Sequence, residues 1–131
     1  MDTSEITYQI GLFSRALSTL EEAIMLENPS QIEKDGTIQR FEYTAELAWK
    51  TMRRFFLYKW ENLEGMYPKD ILKLAWERHL IDDREVWLSY IDIRNSLSHS
   101  YDHTFAEKYY PHVLDSLRYF QALLEKIESG I

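Results

Sequence analysis

The chain has 131 residues, a formal net charge of −7 and no cysteine. This length fits a single domain over residues 1–131, whose core can bury about two-thirds of the unfolded surface. The lack of cysteine excludes disulfides, thiolate metal sites and cysteine nucleophiles, and it fits a reducing compartment. The negative charge argues against a general basic surface for nucleic acid but leaves room for a local basic patch.

The N-terminus and the hydropathy give no sign of membrane targeting. The first ten residues, MDTSEITYQI, lack the basic segment and apolar stretch of a signal peptide. No apolar run reaches the roughly 18 residues that span a bilayer. We therefore expect a soluble, cytoplasmic protein. Aromatic residues make up 15% of the chain, which indicates a dense core, a buried interface or both.

Apolar periodicity predicts two long helices in the first half of the chain. The first covers about residues 3–27, where apolar positions alternate steps of four and three as in a bundle seam. Pro29 ends it, because proline cannot continue the helical hydrogen bonding. The second covers about residues 32–60. Its predicted buried stripe consists of Ile38, Phe41, Ala45, Ala48, Trp49, Met52 and Phe56.

Three further helices are predicted after a loop. A short helix begins at Pro68 and ends near His79. A fourth begins after the acidic pair 82–83, with a buried stripe of Val86, Tyr90, Ile93 and Leu97. Residues 95–98 are weak helix formers, so we expect this helix to fray there.

The last predicted helix covers about residues 104–129. Thr104 is its predicted N-cap, with Glu107 three residues on completing a capping box. Four long helices with short connections pack most simply as an antiparallel bundle. The predicted fold class is therefore all-α, an antiparallel up-and-down four-helix bundle with an additional short helix.

The end of the fourth predicted helix concentrates reactive groups. Arg94, Asn95, His99, Tyr101 and Asp102 lie within nine residues. In RNA cleavage without a metal, an imidazole can move protons at the 2′-hydroxyl and the leaving oxygen, while a guanidinium holds the phosphate. The amide of Asn95 could orient the phosphate or the imidazole. The alternative interpretation is an ordinary helix end with capping side chains.

Helical geometry limits how these groups can meet within one chain. On an ideal helix, positions 94 and 99 are roughly 140° apart around the axis. They converge only if the helix unwinds at the serines or if Arg94 curls over it. A metal site at His99, Asp102 and His103 is a weaker possibility, since no further ligand is fixed nearby. We therefore predict no metal and no cofactor.

The second predicted helix carries another candidate site. Four basic and no acidic residues lie between Trp49 and Trp60. They could form a wall for the phosphates of RNA or a nucleotide, with an aromatic ring stacking a base. The alternative is a solvated face with pairs such as Glu46–Lys50. The candidate residues for nucleotide or RNA binding are Lys50, Arg53, Trp49, Tyr43, Glu42, Glu46 and Asp102.

Two segments resemble those of a known family. Residues 94–101, RNSLSHSY, resemble the R-x4-H-x-Y motif of HEPN domains, which are helical bundles. Residues 39–50, QRFEYTAELAWK, resemble the second-helix signature of one HEPN branch, the nucleotidyltransferase substrate-binding proteins. The resemblance extends over nearly the whole chain. In that branch a HEPN subunit is encoded beside a minimal nucleotidyltransferase (MNT).

The resemblance implies a homodimer in which two copies of the motif meet across a cleft. Many such domains are metal-independent endoribonucleases that act as toxins, with Arg94, Asn95 and His99 at the matching positions here. The partner nucleotidyltransferase neutralises the toxin, and Tyr101 matches the acceptor of transferred AMP. Two other hypotheses are a non-catalytic subunit that holds a nucleotide or other substrate for the transferase, and a structural bundle with a coincidental motif.

Overall fold

The computed structural model describes residues 2–99 and 103–131, except for the side chains of Ser98 and His99. Over these ranges the chain forms five helices: α1 (Ser4–Ile24), α2 (Gln31–Tyr58), α3 (Pro68–Glu77), α4 (Arg84–His99) and α5 (His103–Ser129). This confirms the prediction of an all-α bundle with an additional short helix. No helix in the described ranges has an apolar stretch long enough to cross a lipid bilayer.

Short-range signals set the helix starts. The Ser30 hydroxyl accepts the Glu33 N–H at 3.2 Å, and the Glu33 carboxylate accepts the Ser30 N–H at 2.9 Å, which forms a capping box before α2. Asp83 Oδ1 accepts the Val86 N–H at 3.1 Å, which confirms the predicted acidic cap of α4. Pro68 opens α3 as predicted.

Two predictions about helix ends were wrong. Helix α4 does not fray over residues 95–98 but continues to His99. Ile93 and Leu97, each 4% exposed, anchor its last turns in the core, and this packing outweighs the weak propensity of the polar residues between them. Helix α5 begins at His103, so Thr104 lies inside the first turn rather than at the N-cap.

The core is built around the ring of Phe120 on α5. This fully buried ring contacts Phe13 of α1 at 6.2 Å and Phe41 of α2 at 6.1 Å between centroids. It also contacts Trp87 at 5.5 Å and Tyr90 at 5.8 Å, both on α4. Phe120 therefore joins all four long helices, and much of the aromatic content serves the core. Burial raises the pKa of Tyr90 well above its usual range, so this phenol stays neutral.

Two predicted stripe positions are only half-buried. Trp49 lies at the rim of the core, where its indole N–H reaches a polar partner, as large amphipathic rings commonly do. On α4, Val86 is half-buried and the neighbouring Trp87, 4% exposed, faces the core instead. The larger ring takes the deeper position, because it buries more apolar surface.

Three threonines on α2 form a buried row at intervals of seven residues. Thr37, Thr44 and Thr51 are fully buried. Each hydroxyl donates to the carbonyl four residues earlier, at 2.8, 2.6 and 2.6 Å respectively. Thr51 Oγ1 also accepts from the amide of Gln9 on α1 at 3.3 Å. These bonds satisfy hydroxyls whose burial would otherwise be costly.

We predict that Phe120→Ala lowers the free energy of unfolding by about 3–5 kcal/mol, because the large ring leaves a cavity among four helices. Leu114→Ala on the same helix is the matched control, since Leu114 is 38% exposed and its truncation should cost less than about 1 kcal/mol. Urea denaturation followed by circular dichroism measures both. Equal losses for the two variants would contradict this description of the core.

Candidate functional site

A cleft of about 140 Å³ lies between α2 and α4, beside the start of α3. Residues three and four apart share one face of a helix. Residues 45 and 49 therefore share a face of α2, residues 91, 94 and 95 share a face of α4, and both faces line the cleft. The packing thus brings together two segments that the sequence analysis singled out separately. The cleft is lined by Ala45, Glu46, Trp49, Pro68, Ile91, Arg94 and Asn95.

Glu46 is the polar centre of this cleft. Its Oε2 accepts the indole N–H of Trp49 at 3.1 Å and lies 3.3 Å from Nη2 of Arg94. Its Oε1 lies 3.3 Å from Nζ of Lys50, which confirms the predicted pair of i and i+4 residues. The Glu46 side chain is 26% exposed, so its charge is partly shielded from water. One carboxylate therefore positions an aromatic ring and two cations.

Arg94 faces the cleft with spare hydrogen-bonding capacity. Its side chain is 33% exposed, and its Nη1 donates to Oδ1 of Asn95 at 3.3 Å. Its Nε is buried and has no hydrogen-bond partner within the described part of the chain. An unpaired buried N–H is costly, and a guanidinium fork matches the geometry of phosphate and carboxylate oxygens. The partly exposed Nη groups keep N–H donors beyond their contacts with Glu46 and Asn95, and these are the donors available to an arriving oxyanion.

The other motif residues cannot be placed around Arg94. The side chain of His99, together with Tyr101 and Asp102, lies outside the described residues. The backbone of α4 is helical through His99, so positions 94 and 99 are roughly 140° apart around the axis. The unwinding at the serines that would bring them together within one chain is not observed up to residue 99.

The remaining candidates on α2 lie outside the cleft lining. The hydroxyl of Tyr43 is hydrogen-bonded to that of Thr19 on α1, and Tyr43 does not line the cleft. Arg53 is exposed and has no ion-pair partner among residues 2–99 and 103–131. Glu42 is half-buried and also lies outside the cleft lining. The structure therefore brings Trp49 and Arg94 together but not Trp49 and Tyr43.

Three cleft residues were not predicted as part of a site. Ala45 was predicted as core, Pro68 as a helix start, and Ile91 was not singled out. Ile91 precedes Arg94 by three residues and Asn95 by four, so the shared helix face was a usable signal. Within the described ranges, no group of three or more His, Asp or Glu side chains is arranged to hold a metal ion.

Comparison with known proteins gives consistent matches. The model of the family described as "nucleotidyltransferase substrate binding protein like" matches residues 8–129. A protein of Haemophilus influenzae named "Probable ribonuclease HepT" is 39% identical over 95 residues. That match covers 70% of this chain and 65% of the relative, so the chain spans less than two-thirds of that relative's length.

Two solved structures share the fold. A protein from Thermus thermophilus superposes with a TM-score of 0.78 at 36% identity, covering 88% of this chain and 98% of the other. A second, from Haemophilus influenzae, superposes with a TM-score of 0.77 at 29% identity, covering 91% and 98%. The latter is described as revealing the fold of a substrate binding domain of a nucleotidyltransferase.

We predict that Glu46→Gln lowers the free energy of unfolding by about 1 kcal/mol at low ionic strength, because two cations lose a partly shielded partner. The loss should shrink in about 1 M salt, which screens exposed charges. Glu5→Gln is the matched control: Glu5 pairs with Arg54 at 2.8 Å, but its side chain is 77% exposed. Urea denaturation of both variants at two salt concentrations measures the effect, and equal losses would contradict it.

Proposed function

This chain belongs to the nucleotidyltransferase substrate binding protein like family, and from that premise we propose that it is the HEPN subunit of a two-component system with a minimal nucleotidyltransferase. Membership confirms the branch that residues 39–50 and 94–101 predicted. In this proposal residues 1–131 form a single domain that dimerises and cleaves RNA without a metal or cofactor. It acts as a toxin, and the transferase neutralises it.

The observation that carries the proposal is the Arg94–Asn95 pair at the wall of the cleft. The side chain of Arg94 is 33% exposed, and its guanidinium is held between the amide of Asn95 at Nη1 and the carboxylate of Glu46 at Nη2. Such a fork, fixed in orientation before the substrate arrives, suits a phosphodiester that gains charge during reaction. The name of the HepT relative, a probable ribonuclease, supports the same chemistry.

The proposed reaction uses three residues in distinct roles. His99 takes the proton from the 2′-hydroxyl, whose oxygen then attacks the adjacent phosphorus. The bond from phosphorus to the 5′-oxygen breaks, that oxygen takes a proton from water, and a cyclic 2′,3′-phosphate is left. Arg94 stabilises the charge on the five-coordinate phosphorus, and Asn95 orients the phosphate. Lys50 and Arg53 hold neighbouring phosphates along α2.

A homodimer accounts for the geometry of α4. Because α4 is helical through His99, positions 94 and 99 of one chain are roughly 140° apart. Two copies whose α4 ends face each other can instead supply Arg94 from one and His99 from the other around one phosphodiester. The proposed complete site is therefore shared between subunits.

We predict that the chain cuts RNA and that Arg94→Ala and His99→Ala each lower the rate by at least about 100-fold. Arg118→Ala is the matched control, because Arg118 is an exposed arginine paired with Asp115 on α5. Cleavage is measured on labelled RNA in the presence of a chelator. Wild-type activity no greater than that of the two variants would refute the nuclease proposal.

The same two variants test the shared site. Unfolded together and refolded, they should recover about a quarter of the wild-type activity. Half of randomly formed dimers are mixed, and each mixed dimer keeps one complete site of two. A site contained within one copy would recover no activity, because every copy lacks one of its two residues. Light scattering at micromolar concentration checks the dimer itself.

A second candidate function is a non-catalytic subunit that holds a nucleotide or other substrate for the transferase. The family description and the Haemophilus influenzae structure favour it. Both candidates include a complex with a nucleotidyltransferase. They differ in what the chain contributes, since only the first requires chemistry by His99 and modification of Tyr101.

We predict that co-expression with a minimal nucleotidyltransferase adds AMP to the chain at Tyr101 and abolishes RNA cleavage. Mass spectrometry measures the added AMP, and Tyr101→Phe should remain unmodified and toxic beside the transferase. Tyr8→Phe, at an exposed tyrosine of α1 outside the cleft lining, is the control and should behave as wild type. An unmodified complex that binds nucleotide equally well in His99→Ala would favour the second function instead.

A further inference from the structure

We propose that the cleft between α2 and α4 is a subsite for a single nucleobase, belonging to the nucleotide whose phosphate Arg94 holds. This rests on the phosphate-binding role given to Arg94 in the proposed function. It adds a statement about specificity: the chain recognises one base beside that phosphate, and the walls of the cleft determine which bases are accepted.

The size of the cleft limits its occupant. Its volume of about 140 Å³ is well below the roughly 300–1,000 Å³ of sites that enclose whole drug-sized ligands. A space of this size matches one planar ring system better than a complete nucleotide. The sugar and phosphate would therefore lie outside, beside half-buried Arg94 and exposed Asn95, the more accessible polar residues of the lining.

The walls combine an aromatic ring with small apolar groups. Ala45 and Ile91 are 7% and 9% exposed, and the half-buried ring of Pro68 closes the side toward α3. Trp49 is the aromatic residue of the lining, and stacking on an aromatic ring accepts any base. Its indole N–H is bonded to Glu46 at 3.1 Å. The ring is thus oriented before a base arrives, which lowers the entropic cost of binding.

The amide of Asn95 provides a way to distinguish bases. Asn95 uses its carbonyl oxygen to accept from Arg94 at 3.3 Å, which leaves its NH2 group as a donor. A base with an acceptor on the facing edge gains this hydrogen bond, whereas a base with a donor there does not. Tyr43 takes no part, because it bonds to Thr19 and lies away from the cleft.

Calorimetric titration of the full chain tests the subsite with the four nucleoside 5′-monophosphates and with ribose 5-phosphate. At least one nucleotide should bind about tenfold more tightly than ribose 5-phosphate, the order expected for one stacked base. Trp49→Ala should remove this difference and Trp49→Phe should keep most of it. Trp76→Ala, at a partly exposed tryptophan outside the cleft, should leave it unchanged.

A second variant tests the cleft by filling it. Ala45→Leu should reduce nucleotide binding to the level of ribose 5-phosphate, while Ala122→Leu, at an exposed alanine on α5, should not. Circular dichroism checks that both fold, and the Trp49 variants decide the question if Ala45→Leu does not. Equal binding of nucleotides and ribose 5-phosphate by wild type, or no binding of either, would overturn the subsite.

The outcomes separate this inference from the proposed function. Arg94-dependent RNA cleavage together with equal binding of nucleotides and ribose 5-phosphate refutes the base subsite alone. A preference for nucleotides that depends on Trp49, in a chain that does not cut RNA, refutes the nuclease alone. In that case the cleft would hold the base of a nucleotide for the partner transferase.

Discussion

The contact between Glu46 and Arg94 is the interaction on which the site depends, and the aromatic core determines that it forms. The ring of Phe41 packs against that of Tyr90 at 5.7 Å between centroids. Five residues beyond Phe41 and four beyond Tyr90, the carboxylate of Glu46 meets the guanidinium of Arg94. Core packing therefore sets the register of α2 against α4, and this register places Glu46 opposite Arg94.

The acidic character of the chain and a phosphate site are compatible because the charge is arranged locally. Glu46 lies 3.3 Å from both Arg94 and Lys50, so its charge offsets the repulsion between the two cations. In the proposed function, the phosphate uses the Nη donors of Arg94 that remain after its contacts with Glu46 and Asn95. Glu46 and the phosphate would thus bind the same guanidinium. This arrangement favours a phosphate held in one orientation over a non-directional charge attraction.

The sequence predicted the fold better than it predicted the cleft. Helix starts at Pro68 and after Asp83 depend on neighbouring residues, and local patterns were sufficient for them. The continuation of α4 through residues 95–98 depends on the burial of Leu97 in the core. Helix propensity describes single residues and gives no information on such burial. Trp49 was predicted as a buried stripe position as well as a candidate for nucleotide binding, because apolar spacing alone does not reveal that its indole bonds to Glu46 at the rim of the core.

The cleft itself required the tertiary structure. Ala45 and Ile91 are remote in the sequence and meet only because α2 and α4 share one register. Arg94 and Asn95 were recognised because the resemblance involves contiguous residues, and the structure adds their partners. His99, Tyr101 and Asp102 stay predictions from the sequence alone.

The buried threonines of α2 limit which polar side chains a neighbouring helix can place against them. Thr37, Thr44 and Thr51 each commit their only proton to the carbonyl of the preceding turn. What they can offer to a neighbouring helix is lone pairs, and Thr51 does so toward the amide of Gln9. A neighbouring helix can therefore place an amide N–H or another hydrogen-bond donor opposite these threonines. A carboxylate at the same position would meet only other acceptors.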